Sequence, residues 1–291
     1  GQCENTRFAC GEHIRSADMS LFQKVKDFFN RGRYNMQTSN LSSILDHPKI
    51  AVTREEYNRI QHNLTYYQSR WEDIEYTNTD GDIKRRKMNH LPIARTAAKK
   101  IASLVYNEQA EISAKDSTLN DFLNDMLAND RFNKNFERYL ESALALGGMA
   151  MRPYVDGDKI RVAFVQAPVF LPLQSNTQDV SSAAILTKTI KSEGKTNVYY
   201  TLVEFHEWVT KDGSEIGSTK DKSLYRITNE LYKSNTDSSL GQRVNLQELY
   251  PDLEPVTVLK DLSRPLFTYL KTPGMNNKDI NSPLGLSIFD N

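Results

Sequence analysis

The residues best suited to acid–base or metal chemistry lie in the segment TLVEFHEWV, which carries Glu204, His206 and Glu207. Carboxylates and imidazoles bind zinc and also act as general acids and bases. Successive side chains of a strand point to opposite faces, so Glu204 and His206 share one face with Trp208, whereas Glu207 points to the other face. Beyond the first 18 residues the remaining histidines are His47, His62 and His90.

Two ligands on one face cannot complete a metal site, and the sequence does not place a third or fourth. A half-exposed sheet face is the favoured explanation of the pattern, and a metal-dependent nuclease or hydrolase that uses Glu204 and His206 is the alternative. The chain has no Walker A, GxGxxG, HExxH or GxSxG motif. We therefore predict no catalytic residue, no metal and no cofactor.

A second acidic group, Asn78, Asp80 and Asp82 around Gly81, is only distantly similar to a calcium-binding loop. The twelve-residue spacing and the closing glutamate of such a loop are missing. These residue types are also the ones that form tight turns. The segment therefore predicts the turn of a β-hairpin between Ile74–Thr77 and Ile83–Lys87.

The strongest charge feature is the segment Ile83–Asn107, which contains seven basic residues and no acidic one. Such a surface contacts the phosphate backbone of DNA without reading its sequence, or it pairs with acidic groups of the same or a neighbouring subunit. No aromatic residue is interleaved among the cations before Tyr106, so base stacking is not indicated. A standalone nucleic-acid-binding module that uses this segment is a further alternative. The seven residues are Lys84, Arg85, Arg86, Lys87, Arg95, Lys99 and Lys100.

Composition limits the remaining classes of function. Lys and Arg number 37, as do Asp and Glu, so the molecule as a whole has no net charge to attract nucleic acid or acidic lipid. No run of 18 apolar residues is present, so we predict a soluble, intracellular protein without membrane contact. Both cysteines, Cys3 and Cys10, fall within residues 1–18, which we interpret as a tag or non-native leader.

The apolar periodicity predicts a helical part over residues 19–147 and a β part over residues 148–291. Helices begin at Thr53 and Pro92, and the second has Ile93, Ala97, Ile101, Leu104 and Val105 on one face. An apolar stripe predicts a buried helix face over Ser117–Asn129. A helix over Phe132–Leu146 ends at Gly147, after which the period changes from 3.6 to 2. Helices followed by antiparallel strands indicate an α+β fold.

Aromatic side chains are dense near the end of the first predicted helix, and we expect about half of them to anchor an interface rather than the core. They are Tyr57, Tyr66, Tyr67, Trp71 and Tyr76.

The last residues, from Ser282-Pro283 through Leu284, Leu286 and Ile288, predict the first turn of a helix. Because an apolar helix start with no downstream partner is incomplete, we expect the chain to be a fragment of a longer protein.

Several long segments resemble the portal proteins of tailed siphophage-type bacteriophages, which are also called minor capsid proteins. In the C-terminal part they are LGQRVNLQELYPDLEP, SRPLFTYLKTPGMNN and SPLGLSIFDN, and earlier in the chain they are YTNTDGDIKRR, ASLVYNEQAE and RYLESALALGGMAMRPYVDGD. The similarity runs in order from about Met19 to Asn291. It rests on the order of long segments and not on one chemical signature.

The resemblance implies a portal wing-like fold, truncated before the tunnel and stem region, and a structural protein without enzymatic activity. It implies a dodecameric ring at the capsid portal vertex of the virion, through which double-stranded DNA is packaged and ejected without sequence specificity. It also implies four partners: the terminase large subunit, scaffolding protein, major capsid protein and head-completion proteins. Assembly would take place in the bacterial host cytoplasm.

Overall fold

Four α-helices precede the long β-strands in the computed structural model, which describes residues 40–107, 111–176, 179–194, 196–210 and 224–290. The helices are α1 Arg54–Tyr67, α2 Ile93–Tyr106, α3 Ser117–Asn129 and α4 Phe132–Leu146. The strands are β1 Ile74–Thr77, β2 Ile83–Arg86, β3 Gly148–Asp156, β4 Lys159–Gln166, β5 Phe170–Ser175, β6 Val180–Glu193, β7 Thr196–Val209, β8 Leu224–Ser234, β9 Gln242–Val244, β10 Val256–Leu259 and β11 Thr268–Lys271. Every pairing between these strands is antiparallel. The predicted α+β class is confirmed.

Local sequence signals set the helix ends. The Thr53 side chain accepts a hydrogen bond from the backbone N–H of Glu56 at 3.3 Å and starts α1. The reciprocal half of a capping box is absent, because the buried Glu56 carboxylate binds Arg59 and Ser282 instead. Gly147 ends α4 with φ of +94°, a conformation that glycine adopts without the steric cost of a side chain.

The largest sheet has the order β10-β8-β7-β6-β5, and β9 extends the same edge of β8 as β10. Its longest pairing joins β6 and β7, from Ala183 opposite His206 to Glu193 opposite Thr196. A smaller sheet has the order β11-β3-β4. The two sheets meet in one apolar cluster, which contains Ala150, Val165, Phe170, Val180, Ala183, Ile185 and Phe267.

The opposite face of the large sheet is covered by the chain segment that precedes α1. Val203 and Phe205 of β7 are completely buried there against Ile44. Burying one side chain as large as that of Phe205 stabilises the fold by roughly 1.5–3 kcal/mol. The predicted half-exposed face of β7 is therefore wrong, because both faces of the strand are covered between residues 201 and 209.

The C-terminal segment from Pro283 to Asp290 is not helical, so the predicted helix start is wrong. The Ile288 N–H donates to the Leu144 carbonyl at 3.0 Å, and the Ser287 hydroxyl donates to the Ala145 carbonyl at 2.6 Å. The end of α4 thus supplies hydrogen bonds that a helix would otherwise make internally. The segment thus has hydrogen-bond partners upstream, in α4, and the expectation that the chain is a fragment stays a prediction.

Two predictions are not tested by this structure. Residues 1–18, interpreted as a leader, lie outside the described residues. The division into parts 19–147 and 148–291 stays a prediction, although the change from helix to strand does fall at Gly147. Among the described helices, none combines the length and the apolar character needed to cross a membrane.

Candidate interaction surface

The hairpin of β1 and β2 carries the first four cations of the basic segment. The Asn78 side-chain oxygen accepts hydrogen bonds from the N–H groups of Asp80 and Asp82, at 3.0 and 2.8 Å, and so closes the turn at Gly81. These contacts show that Asn78, Asp80 and Asp82 form the turn of the hairpin. All residues of β2 are exposed on both faces, including Ile83, Lys84 and Arg86.

Two arginines of this hairpin contact its other strand. Arg85 pairs with Glu75 directly opposite, and the Arg86 guanidinium lies 5.6 Å from the centre of the Tyr76 ring. Both partners of the ion pair are more than half exposed, so the pair is worth at most about 1 kcal/mol. The hairpin therefore keeps most of its positive charge available for a partner.

Helix α2 positions the other three cations. Its small residues Ala98 and Ala102 are buried on the side that packs against α4, which turns Lys99 and Lys100 to solvent. Arg95 contacts Glu141 of α4 at 3.3 Å, and the Tyr67 hydroxyl donates to the same carboxylate at 2.8 Å. Burial and Glu141 raise the pKa of Tyr67 to about 12, so its hydroxyl stays a donor.

We refer to Lys84, Arg85, Arg86, Lys87, Arg95, Lys99 and Lys100 as the basic surface. All seven residues are exposed, and they lie on two neighbouring elements, β2 with the residue after it and α2. Within the described part of the chain, Lys84, Lys87, Lys99 and Lys100 make no ion pair or hydrogen bond through their side chains. Acidic neighbours that would neutralise these four lysines are thus not supplied by the described residues of the same subunit.

The apolar stripe of α2 lies at this surface and is largely exposed. Ile93, Leu104 and Val105 are 70, 64 and 61% exposed. The reason is that α2 contacts α4 through its alanines, whose side chains allow a close approach, so the larger apolar side chains face away from the core. Exposed Met88 and Leu91 continue the apolar area between β2 and α2.

Helix α3 departs from its prediction, because no residue of α3 is fully buried. Phe122 is 53% exposed and Leu119 is 56% exposed, although their spacing predicted a buried stripe. Asp116 caps the helix by accepting from the Leu119 N–H at 2.8 Å, so the helix itself forms as its sequence requires. Periodicity therefore predicted the helix correctly and its burial wrongly.

Glu204 and His206 are structural residues of the interior. Arg152 of β3 donates to Glu204 at 2.7 Å, and the Tyr225 hydroxyl lies 3.0 Å from Nδ1 of His206. Burial, with a smaller contribution from the Arg152 charge, lowers the pKa of His206 to about 3. An imidazole that stays neutral beside an arginine is poorly suited to proton transfer at neutral pH. Among the described residues, no group of three or more His, Cys, Asp and Glu is placed to hold a metal ion.

A second buried charge cluster was not anticipated from the sequence. Glu207 accepts hydrogen bonds from Lys49 at 2.8 Å and from Arg226 at 3.1 Å. Burial would raise the pKa of Glu207, but these two cations outweigh burial and lower it. The only sequence signal was a charged residue at an inward-facing position of β7, and the partners come from distant segments.

The predicted aromatic anchors divide into two groups. Tyr57 packs against the core that covers the large sheet, and Tyr67 packs against the core between α1 and α4. Trp71 and Tyr76 are 51 and 44% exposed, and Trp71 contacts the rings of Tyr66 and His90. The second group borders the basic surface, because His90 lies in the segment between β2 and α2.

Comparison with known proteins gives one family. The chain matches the family model described as "Phage portal protein, SPP1 Gp6-like" over residues 46–288. No curated protein matches the chain. The match includes all four described helices and all eleven described strands, together with the basic surface. The chain therefore belongs to the SPP1 Gp6-like family of phage portal proteins, which are structural head–tail connector proteins of the virion.

Proposed function

We propose that this protein is a subunit of a closed ring at the portal vertex of the phage head, where double-stranded DNA is packaged and later ejected. The family match over residues 46–288 is the observation that carries the proposal. A dodecamer is the expected ring, and the protein itself would hydrolyse nothing. Its partners would be the terminase large subunit, scaffolding protein, major capsid protein and head-completion proteins, met in the bacterial host cytoplasm during assembly.

The surface chemistry supports an assembly subunit. Four lysines of the basic surface lack partners in the described chain, and apolar side chains of α2 and α3 are more than half exposed. Contiguous exposed apolar groups beside polar ones are typical of protein–protein contacts. The cations by themselves could also bind the phosphates of DNA, so DNA is the second candidate partner of the basic surface. We favour the neighbouring subunit, because DNA phosphates give no burial to Ile93 or Leu104.

Electron microscopy of the protein expressed from its complete reading frame tests the proposed function. We expect closed rings with a central channel wide enough for duplex DNA. Head-to-tail contacts that close generate rings, whereas those that do not close generate filaments. Open filaments, or a protein that stays monomeric under assembly conditions, would contradict the proposal.

A salt titration of DNA binding separates the two partners of the basic surface. If Lys84, Arg85, Arg86 and Lys87 bind duplex DNA, neutralising all four should reduce the salt slope by about 0.9 for each phosphate that they bind. If these residues pair with a neighbouring subunit, the salt slope stays unchanged and ring formation fails. A reduced slope with normal rings would assign the basic surface to DNA.

A further inference from the structure

The outer face of α2 combines apolar and basic side chains. Ile93, Ile101 and Leu104 recur at helical spacing, and Lys100 lies on the same side, one turn before Leu104 and two turns after Ile93. All four are exposed, while Ala98 and Ala102 on the opposite side are buried. We define the α2 face as Ile93, Lys100, Ile101 and Leu104.

The outer face of α3 has the same apolar character and the opposite charge. Leu119 and Phe122 lie one turn apart, and Asp125 lies one turn beyond Phe122. Asp125 is exposed, and it makes no ion pair or hydrogen bond within the described part of the chain. We define the α3 face as Leu119, Phe122 and Asp125.

Each face suits the other, but the two do not cover each other within one chain. Leu104 and Phe122 remain exposed in the single subunit, because both helices pack separately on α4. Two α2 faces brought together would place lysine against lysine, and two α3 faces would place aspartate against aspartate. Charge complementarity therefore favours a contact between unlike faces. Such charges also fix how the two faces align and disfavour a contact between like faces.

We propose that the α2 face of one copy of this chain packs against the α3 face of the next copy. The proposal rests on the proposed function, because a contact between unlike faces is head-to-tail and repeats around a ring. Phe122 and Leu104 form its apolar centre, and Lys100 with Asp125 forms its charged rim. The contact covers the apolar stripes that stay exposed in the single subunit.

Duplex DNA is the weaker occupant of these faces. The α3 face presents the carboxylate of Asp125, which repels phosphate at short range. The α2 face presents more large apolar side chains than cations, and apolar side chains release no counterions. A second copy of the chain pairs the charges of both faces and buries their apolar side chains.

Disulfide cross-linking between two variants detects this contact even when it is short-lived. In a background with Cys3→Ser and Cys10→Ser, the Leu104→Cys protein is mixed with a size-tagged Phe122→Cys protein and oxidised. A disulfide forms only where the Cα atoms approach within about 7 Å. Met275→Cys replaces Phe122→Cys as the matched control, since Met275 is 84% exposed and lies on neither face.

We expect the Leu104→Cys and Phe122→Cys pair to cross-link roughly tenfold faster than the control pair, a ratio that corresponds to about 1.4 kcal/mol of preferential contact. Adding Lys100→Glu to the first protein should lower the rate, and adding Asp125→Lys to the second should restore it. High salt should reduce the rate in the unswapped pair, because exposed charges are screened. Equal unfolding midpoints of the cysteine variants and their background show that the exposed substitutions leave the fold intact.

Equal rates for the test and control pairs would overturn the inference. So would fast cross-linking of Leu104→Cys protein to itself, which indicates a contact between like faces, and so would loss of the cross-link on adding duplex DNA, which assigns the α2 face to DNA. Closed rings together with equal cross-linking rates reject this contact and leave the proposed function intact. A failure of the intact protein to form rings rejects the proposed function instead.

Discussion

Replacing Gly147 by alanine would place a methyl group against the backbone of the C-terminal segment. The new Cβ would lie 2.9 Å from the carbonyl carbon of Gly285 and closer still to its oxygen. Backbone atoms cannot swing aside as a flexible side chain does, so the segment around Gly285 must move. Gly147 also has φ of +94°, which costs an alanine roughly 1–2 kcal/mol by itself.

Moving the segment would weaken or break three hydrogen bonds to the end of α4. Two come from the segment itself and one comes from the residue that follows β11. They are Ile288 N–H to Leu144 O, the Ser287 hydroxyl to Ala145 O, and Thr272 N–H to Gly147 O. At about 1 kcal/mol each, their loss adds about 3 kcal/mol. We therefore expect Gly147→Ala to lower the free energy of unfolding by about 4–5 kcal/mol.

Gly157→Ala is the matched control. Gly157 has φ of +63° in the turn between β3 and β4, and a Cβ there meets no atom within 4 Å. It therefore carries the backbone strain without the steric clash and should cost about 1–2 kcal/mol. Urea unfolding followed by tryptophan fluorescence measures both variants. Equal losses of stability for the two variants would refute the close approach of Gly147 and Gly285.

Other predictions concern buried charges and the absence of catalysis. The pKa of His206 lies at about 3 in the folded chain, below its ordinary value, so the stability from its neutral form is complete above about pH 6.5 and is lost as the pH falls towards 3. When the pH is lowered from about 7 to about 5, the free energy of unfolding of the unmodified protein should therefore fall by about 2 kcal/mol more than that of His206→Gln, as measured by urea titration. Equal falls for the two proteins would contradict the buried, neutral state of His206. Glu207→Gln should lower the free energy of unfolding by roughly 1.5–3 kcal/mol, because the Glu207 carboxylate is 5% exposed and accepts charge-assisted hydrogen bonds from Lys49 and Arg226. Glu193→Gln, at an exposed ion pair, should lower it by less than about 1 kcal/mol, and similar urea midpoints for the two variants would oppose this reasoning. Purified protein with Mg²⁺ or Mn²⁺ should show no nuclease or ATPase turnover, and an activity that disappears in His206→Ala would favour the enzyme alternative.

Short-range signals predicted the elements that the chain forms. The bounds of α3 and α4 and the hairpin of β1 and β2 agree with the sequence. Their causes are local, because a cap, a positive-φ glycine or a periodic stripe acts within a few residues. The basic surface was also visible in the sequence, since a segment with seven cations and no acid cannot neutralise itself.

Burial, by contrast, was decided by segments far away in the chain. The stripe of α2 stays exposed because alanines make the contact with α4, and the polar residues of β7 are buried because two separate layers cover the large sheet. The end of the chain is extended because α4 offers it free carbonyl groups. A sequence pattern states which side chains share a face, and only the tertiary structure decides what covers that face, since covering depends on partners that are distant in sequence.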